Sequence, residues 1–437
     1  MAPSSSSALF LVLNTKSILD RLPEWFPDAG QELIVVTTRS ALGDAHLPSL
    51  ARKFRHLHLV EDFDGPGTED ELTALGRRFA IRRVLSTGER DVLRAARLRQ
   101  RLGLEGQSLE QAVPFRDKYV MKSRLARAGM PVAPMRRLTD ARDLRAFACD
   151  HGFPLVVKQV DSGGSNGTRV LVDEKALAEF LTTWQPHAPG SQHLVEGWVE
   201  GDFYQVNGLM EAGRIVLGQP SLHPYSDWFS VAFDAPGMSA MMPEEHPLSG
   251  RLRRTAADVL AALPAVPGIC AFQVEFFHTP DDRLVICEAA CRAGGSHMVD
   301  THEAVLGVNL HGASLLGQAG RGEEVRIGPT GLPRRGYARF PPADGTLRYL
   351  PRHCPLPGTL SYRASGEVGR TYEGARHLGP SVADVVFTLS APDPREELRR
   401  VEDWWERNVV WEGRTTALPK AYRDHPLRAL PRTCGTA

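Results

Sequence analysis

Two glutamates flank a turn. Ala271 to Phe277 and Arg283 to Glu288 read as strands on either side of Thr279-Pro280-Asp281-Asp282, a run of turn-forming residues. With the hairpin centred between Asp281 and Asp282, Glu275 and Glu288 fall directly opposite on one face. Their Cβ atoms would then lie about 4.5–5.5 Å apart. Like charges so placed destabilise a sheet unless something sits between them. A divalent cation removes the repulsion, and carboxylates that hold Mg2+ against phosphate oxygens are a common arrangement. A solvent-facing acidic pair is the plainer alternative. By the same alternation Phe272, Val274, Phe276, Val285 and Cys287 share the other face, which suits burial. Gln273 falls opposite Ala290.

Two further groups could handle phosphate. The strand Leu155-Val156-Val157-Lys158 ends on a lysine, and the loop Asp161-Ser162-Gly163-Gly164-Ser165-Asn166-Gly167 follows. Such a loop can lay N–H groups and hydroxyls along a polyphosphate while the lysine neutralises charge. No Gly-Lys-Ser or Gly-Lys-Thr closes it, so it is not a Walker A loop; a solvated turn is the alternative. Arg292 stands four residues beyond Glu288, just before Gly294-Gly295. A guanidinium there could hold a phosphoryl group or a carboxylate, and the glycines permit close approach of backbone to a ligand.

The elements that must position these residues form an alternating series. Leu9 to Leu13, Leu33 to Thr37 and Arg82 to Ser86 read as strands, with helices over Ile18 to Phe26 and from Glu89 to about Leu102. That pattern predicts a parallel α/β unit over residues 1–115. No GxGxxG follows the first strand. A helix over Asp117 to Ala128, another after Asp140, the Leu155 strand, a strand from Arg169 and a helix bearing Leu177, Phe180 and Leu181 make a second unit, 116–205. The third, 206–437, carries the glutamate hairpin and an α+β extension from about 326 that closes with a helix near Glu396 to Trp405. Between Gln219 and Pro247 the chain has Pro, Met and aromatics without period. It reads as a long loop, and long loops are usually functional. Its aromatics, with His223 and Asp227 beside Tyr225, Trp228 and Phe229, suit a pocket that packs an apolar side chain and grips a polar group.

The bulk numbers exclude several classes. The 437 residues carry 52 Lys+Arg against 52 Asp+Glu, so no basic excess points to nucleic acid. No stretch approaches the roughly 20 apolar residues of a membrane helix. Met1 to Ser7 lacks Lys and Arg, and the apolar run Ala8 to Leu13 is too short for a signal peptide. Six cysteines without CxxC spacing read as reduced thiols, so a cytoplasmic protein is expected.

Read in order, these segments resemble the ATP-grasp superfamily, and more narrowly its carboxylate–amine ligases, which include the L-amino acid (dipeptide) ligases. The matching runs are Phe115-Arg116-Asp117-Lys118 with Met121-Lys122, Phe153 to Lys158, and the Ser162 to Gly167 loop. Val195-Glu196-Gly197-Trp198-Val199-Glu200-Gly201-Asp202, Val274-Glu275-Phe276 and Glu288 to Gly295 continue the match, and Gly88-Glu89-Arg90 is also similar. The resemblance implies an ATP-grasp fold of α/β and α+β parts, with an N-terminal parallel α/β domain, a lid domain and a catalytic domain. It implies ATP and Mg2+ as cofactors, small-molecule carboxylate and amine substrates, and a homodimer.

Roles follow from the same likeness. Lys118 and Lys158 would contact ATP phosphates under a lid of Ser162, Gly163, Gly164, Ser165 and Gly167. Glu196 and the backbone near Val199 would read adenine, and Asp202 would hold the ribose. Glu275 and Glu288 would bind Mg2+, and Arg292 would steady the acyl phosphate, with Gly294, Gly295, His223, Trp228 and Gln273 about the substrates. Many family members carry Asn where this chain has Ala290; the Gln273 amide, facing it, is expected to fill the vacancy. The implied activity is ATP-dependent amide formation through an acyl phosphate. A carboxylase-like enzyme that phosphorylates bicarbonate and an ATP-binding module without turnover are the rivals.

Overall fold

The N-terminal unit is a four-stranded parallel sheet, as the alternating pattern predicts. In this computed structural model, which describes residues 9–14, 18–42, 47–186, 192–226, 230, 235–375 and 379–414, its strand order is His56–Val60, Leu33–Thr38, Phe10–Leu13, Arg83–Ser86. Phe10–Leu13 and Leu33–Thr38 are buried throughout, which is what a parallel sheet covered on both faces requires. His56–Val60 escapes sequence reading because it is an edge strand with two histidines and only Val60 fully buried.

The second unit is a four-stranded antiparallel sheet ordered Met135–Leu138, His193–Gly197, Leu155–Gln159, Arg169–Leu171. Helices Ala141–His151 and Glu174–Thr183 close it with Leu144, Phe147 and Leu177. Asp140 starts the first of these helices through a capping box with Asp143. Helix Lys118–Arg127, which the sequence groups with this unit, buries Met121 and Leu125 in the large core instead. The strand that opens the large sheet already starts at Asp202.

The large sheet has eight strands, ordered Leu284–Ala290, Ile269–His278, Asp202–Glu211, Arg214–His223, Gly237–Met241, Arg335–Phe340, Ala383–Thr388, Thr359–Ala364. One reading changes here. Gln219 to His223 is not loop but the second half of a strand paired with Phe203 to Asn207, and Gly237–Met241 is a further strand. Pairing on both sides overrides the weak local signal of Pro220 and the methionines. The C-terminal extension, expected within this third unit, supplies three strands to the same sheet. Trp228, with Asp227 and Phe229, lies outside the described residues.

Alternation along these strands gives the sheet two different faces. Phe272, Val274, Phe276, Val206 and Leu222 point into the main core, where helix Pro247–Ala262 supplies Leu252, Ala256 and Val259. On the other face Leu209 and Ala271 meet Val299 and Leu310 from helices Met298–Leu306 and Leu310–Gln318. The second helix approaches so closely that a Cβ at Gly317 would fall 1.9 Å from Ile269 O. Its far side carries Leu315 and Leu316 into the core of the N-terminal unit. Gln318 bonds both Ser86 N at 3.1 Å and Ser86 O at 2.9 Å, which holds the C-terminal end of Arg83–Ser86 beside the large sheet. Beyond these helices the second face stays open over Gln273, Glu275 and Phe277, and a cavity forms there. No helix among the described residues is long and apolar enough to cross a membrane.

Candidate active site

The glutamate hairpin forms with Glu275 directly opposite Glu288 and Gln273 opposite Ala290. Nearer the turn the register slips by one residue, so that Phe276 faces Ile286 and Phe277 faces Val285. Cys287 is therefore a bulge. Ile286, not Val285, joins Phe276 in the main core, and Cys287 lines the cavity rather than the core. Burial pushes its thiol up to about 12, so it stands by as a neutral group. A bulge beside paired residues re-aims side chains without changing the strand order. Here it preserves the glutamate pair on the cavity face.

Both carboxylates line a cavity of about 480 Å3 between the small unit and the large sheet. Gln205 Nε2 donates to Glu275 Oε1 at 3.1 Å, and Lys118 Nζ lies 3.1 Å from Glu288 Oε1. Among the described residues no group of three or more His, Cys, Asp or Glu could hold a metal ion. Two carboxylates fit a cation of the Mg2+ kind, which takes its other oxygens from phosphate and water rather than from an all-protein cage.

The lysines arrive from two elements. Lys118 and Lys122 sit one turn apart on helix Lys118–Arg127 and both are buried. Lys118 Nζ donates to Ser162 O at 2.5 Å, so it ties the glycine-rich loop to the metal-type pair. Lys158 Nζ lies 2.8 Å from Glu196 Oε2, and Lys122 Nζ bonds Glu196 Oε1. Burial alone would raise the Glu196 carboxyl, but Lys122 and Lys158 bring it down to about 2. Both Glu196 oxygens are thus engaged by lysines, and the half-buried Lys158 is held charged. Lys122 had no role assigned from the sequence, where it stood only in the Met121-Lys122 run of the family resemblance.

Arg292 is held by residues from far along the chain. Its Nε bonds Glu89 Oε2, and its Nη1 bonds Gln273 Oε1 and, at 3.1 Å, Ala293 O. Arg116 takes the other Glu89 oxygen and also bonds Asp161 O at the root of the glycine-rich loop. Burial would raise the Glu89 carboxyl; Arg292 and Arg116 lower it to about 2. Gln273 Nε2 donates to Gln205 Oε1 at 2.6 Å. Its amide is therefore committed between Arg292 and Gln205, and Gln205, not Gln273, bonds Glu275. A continuous polar chain runs from Arg116 through Glu89, Arg292, Gln273 and Gln205 to Glu275. Asn207 Nδ2 adds to Gln205 Oε1 at 3.4 Å, while its buried Oδ1 has no partner among the described residues.

The remaining expected residues divide. Ser162, Gly163, Gly164, Ser165, Val199, Gly295 and His223 line the cavity; Gly167, Asp202 and Gly294 are not among its lining residues. Asp202 instead pairs with Arg395 at 2.7 Å. Gly294 answers to packing, because a Cβ there would fall 2.3 Å from Met298 Sδ. His223 is buried, its Nε2 lies 3.1 Å from Ser239 Oγ, and burial with His302 nearby pushes its imidazole down to about 3. It is neutral at physiological pH and can offer only a hydrogen bond. Phe203, Met298, Tyr337 and Arg339, which also line the cavity, come from three elements and carry no motif.

Loop mobility can be tested directly. Gly164 has φ 60°, a conformation closed to proline. Gly164→Pro is expected to slow turnover and raise the KM for ATP, because closure over the phosphates needs backbone freedom. Steady-state kinetics of the variant check this, and unchanged constants would reduce the loop to a surface turn.

Comparison with known proteins follows this geometry. The model of the ATP-grasp domain family matches residues 123–305. An L-arginine-specific L-amino acid ligase of Bacillus subtilis is 22% identical over 320 residues, 72% of this chain and 75% of that protein. An alanine–anticapsin ligase of Bacillus subtilis is 32% identical over 272 residues, and the match spans only 57% of either chain. The crystal structure of an L-amino acid ligase from Bacillus licheniformis shares the fold, with a TM-score of 0.67 at 15% identity, covering 94% of this chain and 100% of that one.

Proposed function

For a chain that has the ATP-grasp fold and carries an ATP-grasp domain, we propose an ATP-dependent ligase that joins a carboxylate to an amine through an acyl phosphate. The observation that carries this reading is the convergence of Glu275, Glu288, Lys118, Lys158 and Arg292 on one cavity. A binding module has no need of an arginine held beside the carboxylate pair.

The reaction has two steps. A carboxylate oxygen attacks the γ-phosphorus, the bond to the β–γ bridging oxygen breaks, and ADP leaves. The amine nitrogen then attacks the acyl carbon, phosphate leaves with the C–O electron pair, and the nitrogen loses its proton. Lys118 and Lys158 counter the charge of the polyphosphate, with Glu196 holding Lys158 in place. Arg292, oriented by Glu89 and Gln273, faces the negative charge that develops on the acyl phosphate and at the attacked carbon. Mg2+, held by Glu275 and Glu288, would supply charge neutralisation at the phosphates. The glycine-rich loop, tied to Lys118 and Arg116, excludes water that would hydrolyse the acyl phosphate.

The test is a screen of L-amino-acid pairs with ATP and Mg2+, reading ADP and phosphate. Release that requires both an acid and an amine is expected. Release with bicarbonate alone, or with neither partner, would replace this reading.

A further inference from the structure

The far wall of the cavity carries an arginine that the reaction above does not use. Arg339, Asp384 and Arg363 lie side by side on three adjacent strands of the large sheet. Arg339 Nε donates to Asp384 Oδ1 at 2.8 Å, Arg363 Nη2 lies 3.2 Å from Asp384 Oδ2, and His297 Nε2 lies 3.5 Å from Asp384 Oδ1. Asp384 is buried. One carboxylate thus stands between two guanidiniums, of which Arg339 lines the cavity.

Arg339 is held rigidly yet incompletely used. Its Nη2 donates to Gly379 O at 2.7 Å and approaches Ser381 Oγ at 3.3 Å. Among the described residues its Nη1 has one long contact, Ser296 Oγ at 3.4 Å. Arg339 and Ser296 both line the cavity that holds Arg292. Ser296 follows Gly294-Gly295 with φ 57°, a turn that brings the chain from Arg292 across to Arg339.

The geometry points to Arg339, with Ser296, as the subsite for a carboxylate that is not activated: the free carboxylate of the amine partner. This rests on the ligase reading. The carboxylate that reacts loses its charge on phosphorylation and belongs beside Arg292. An amine that also bears a carboxylate one carbon away would present that group a few ångströms beyond the reacting nitrogen, on the side where Ser296 and Arg339 stand. A guanidinium fixed by Asp384 and Gly379 binds a carboxylate without first having to be ordered.

The experiment compares L-amino acids with their carboxamides as the amine partner, in wild type, Arg339→Met, Arg339→Lys and Ser296→Ala. For wild type the carboxamide is expected to show a KM about 10-fold or more above that of the acid, because a site built for a polar group rejects the analogue that lacks it. Arg339→Met raises the KM of the acid to that of the carboxamide and leaves the KM for ATP unchanged; Arg339→Lys restores part of the difference. Melting temperatures accompany the kinetics, and Ser296→Ala, which keeps the Asp384 pairs, reports on the subsite should Arg339→Met fold poorly. Carboxamides that serve as well as acids in wild type overturn the subsite while leaving the ligase reading intact. So does an Arg339→Met enzyme with the wild-type KM for the acid. If no pair releases ADP, calorimetric binding of the same acids and carboxamides decides: a preference for acids that Arg339→Met abolishes keeps the subsite and removes the ligase, and equal binding removes the subsite.

Discussion

Glu288→Gln is expected to lower turnover by about 10²–10³-fold, the scale on which removal of one preorganised electrostatic group from an active site acts. The substitution keeps shape and removes charge. Glu288 loses its attraction for Lys118, 3.1 Å away, and the site loses half of the carboxylate pair. Glu275→Gln should behave alike, with the hydrogen bond from Gln205 weakened because a neutral amide oxygen replaces a carboxylate. Melting temperature should change little, since the like-charge repulsion across the hairpin falls as well. ADP release measured across a Mg2+ titration is the check. Both variants keeping wild-type release at limiting Mg2+ would show that the pair does not hold the cation.

Glu196→Leu is expected to cost about 3–5 kcal/mol of stability, the range for removing one partner of a buried ion pair. Lys122 is 1% exposed and Lys158 14%, and neither has water enough to replace the lost carboxylate. Denaturant titration with intact slope is the measurement. Glu196→Gln adds a pH signature. The folded carboxyl is lowered from 4.5 to about 2, so its contribution is fully present above pH 4.5 and disappears as pH falls through 2. The stability gap between wild type and Glu196→Gln should therefore be constant from neutrality to about pH 5 and narrow below it. A gap that stays level down to pH 3 would mean that the lysines do not depress this carboxyl.

These two results probe different kinds of legibility. The pairing of Glu275 with Glu288 was readable because both lie within reach of one turn, where strand alternation and turn chemistry act over a few residues. Even there the register was only half visible. The bulge at Cys287, which sends Ile286 rather than Val285 to the core, leaves no mark in the local pattern. The lysine and glycine-rich loop were readable for the same local reason, as was the alternating parallel unit. The Arg395 partner of Asp202 was not readable, because it is 193 positions away.

What the sequence by itself determined is the kind of chemistry available and the order of its parts: a carboxylate hairpin, a lysine-ended strand with a flexible loop, an arginine before two glycines, and α/β units to carry them. What only the tertiary structure decided is how those groups are charged, oriented and completed. Glu89 reaches Arg292 across 203 positions, Gln205 reaches Gln273 across 68, and Lys122 reaches Glu196 across 74. Arg339 joins the cavity only because the C-terminal strands extend the large sheet. Periodicity records which face of its own helix or strand a residue occupies, since that depends on neighbours in the chain. It carries no term for a partner brought near by the packing of separate elements, and buried charge is stable only when such partners arrive.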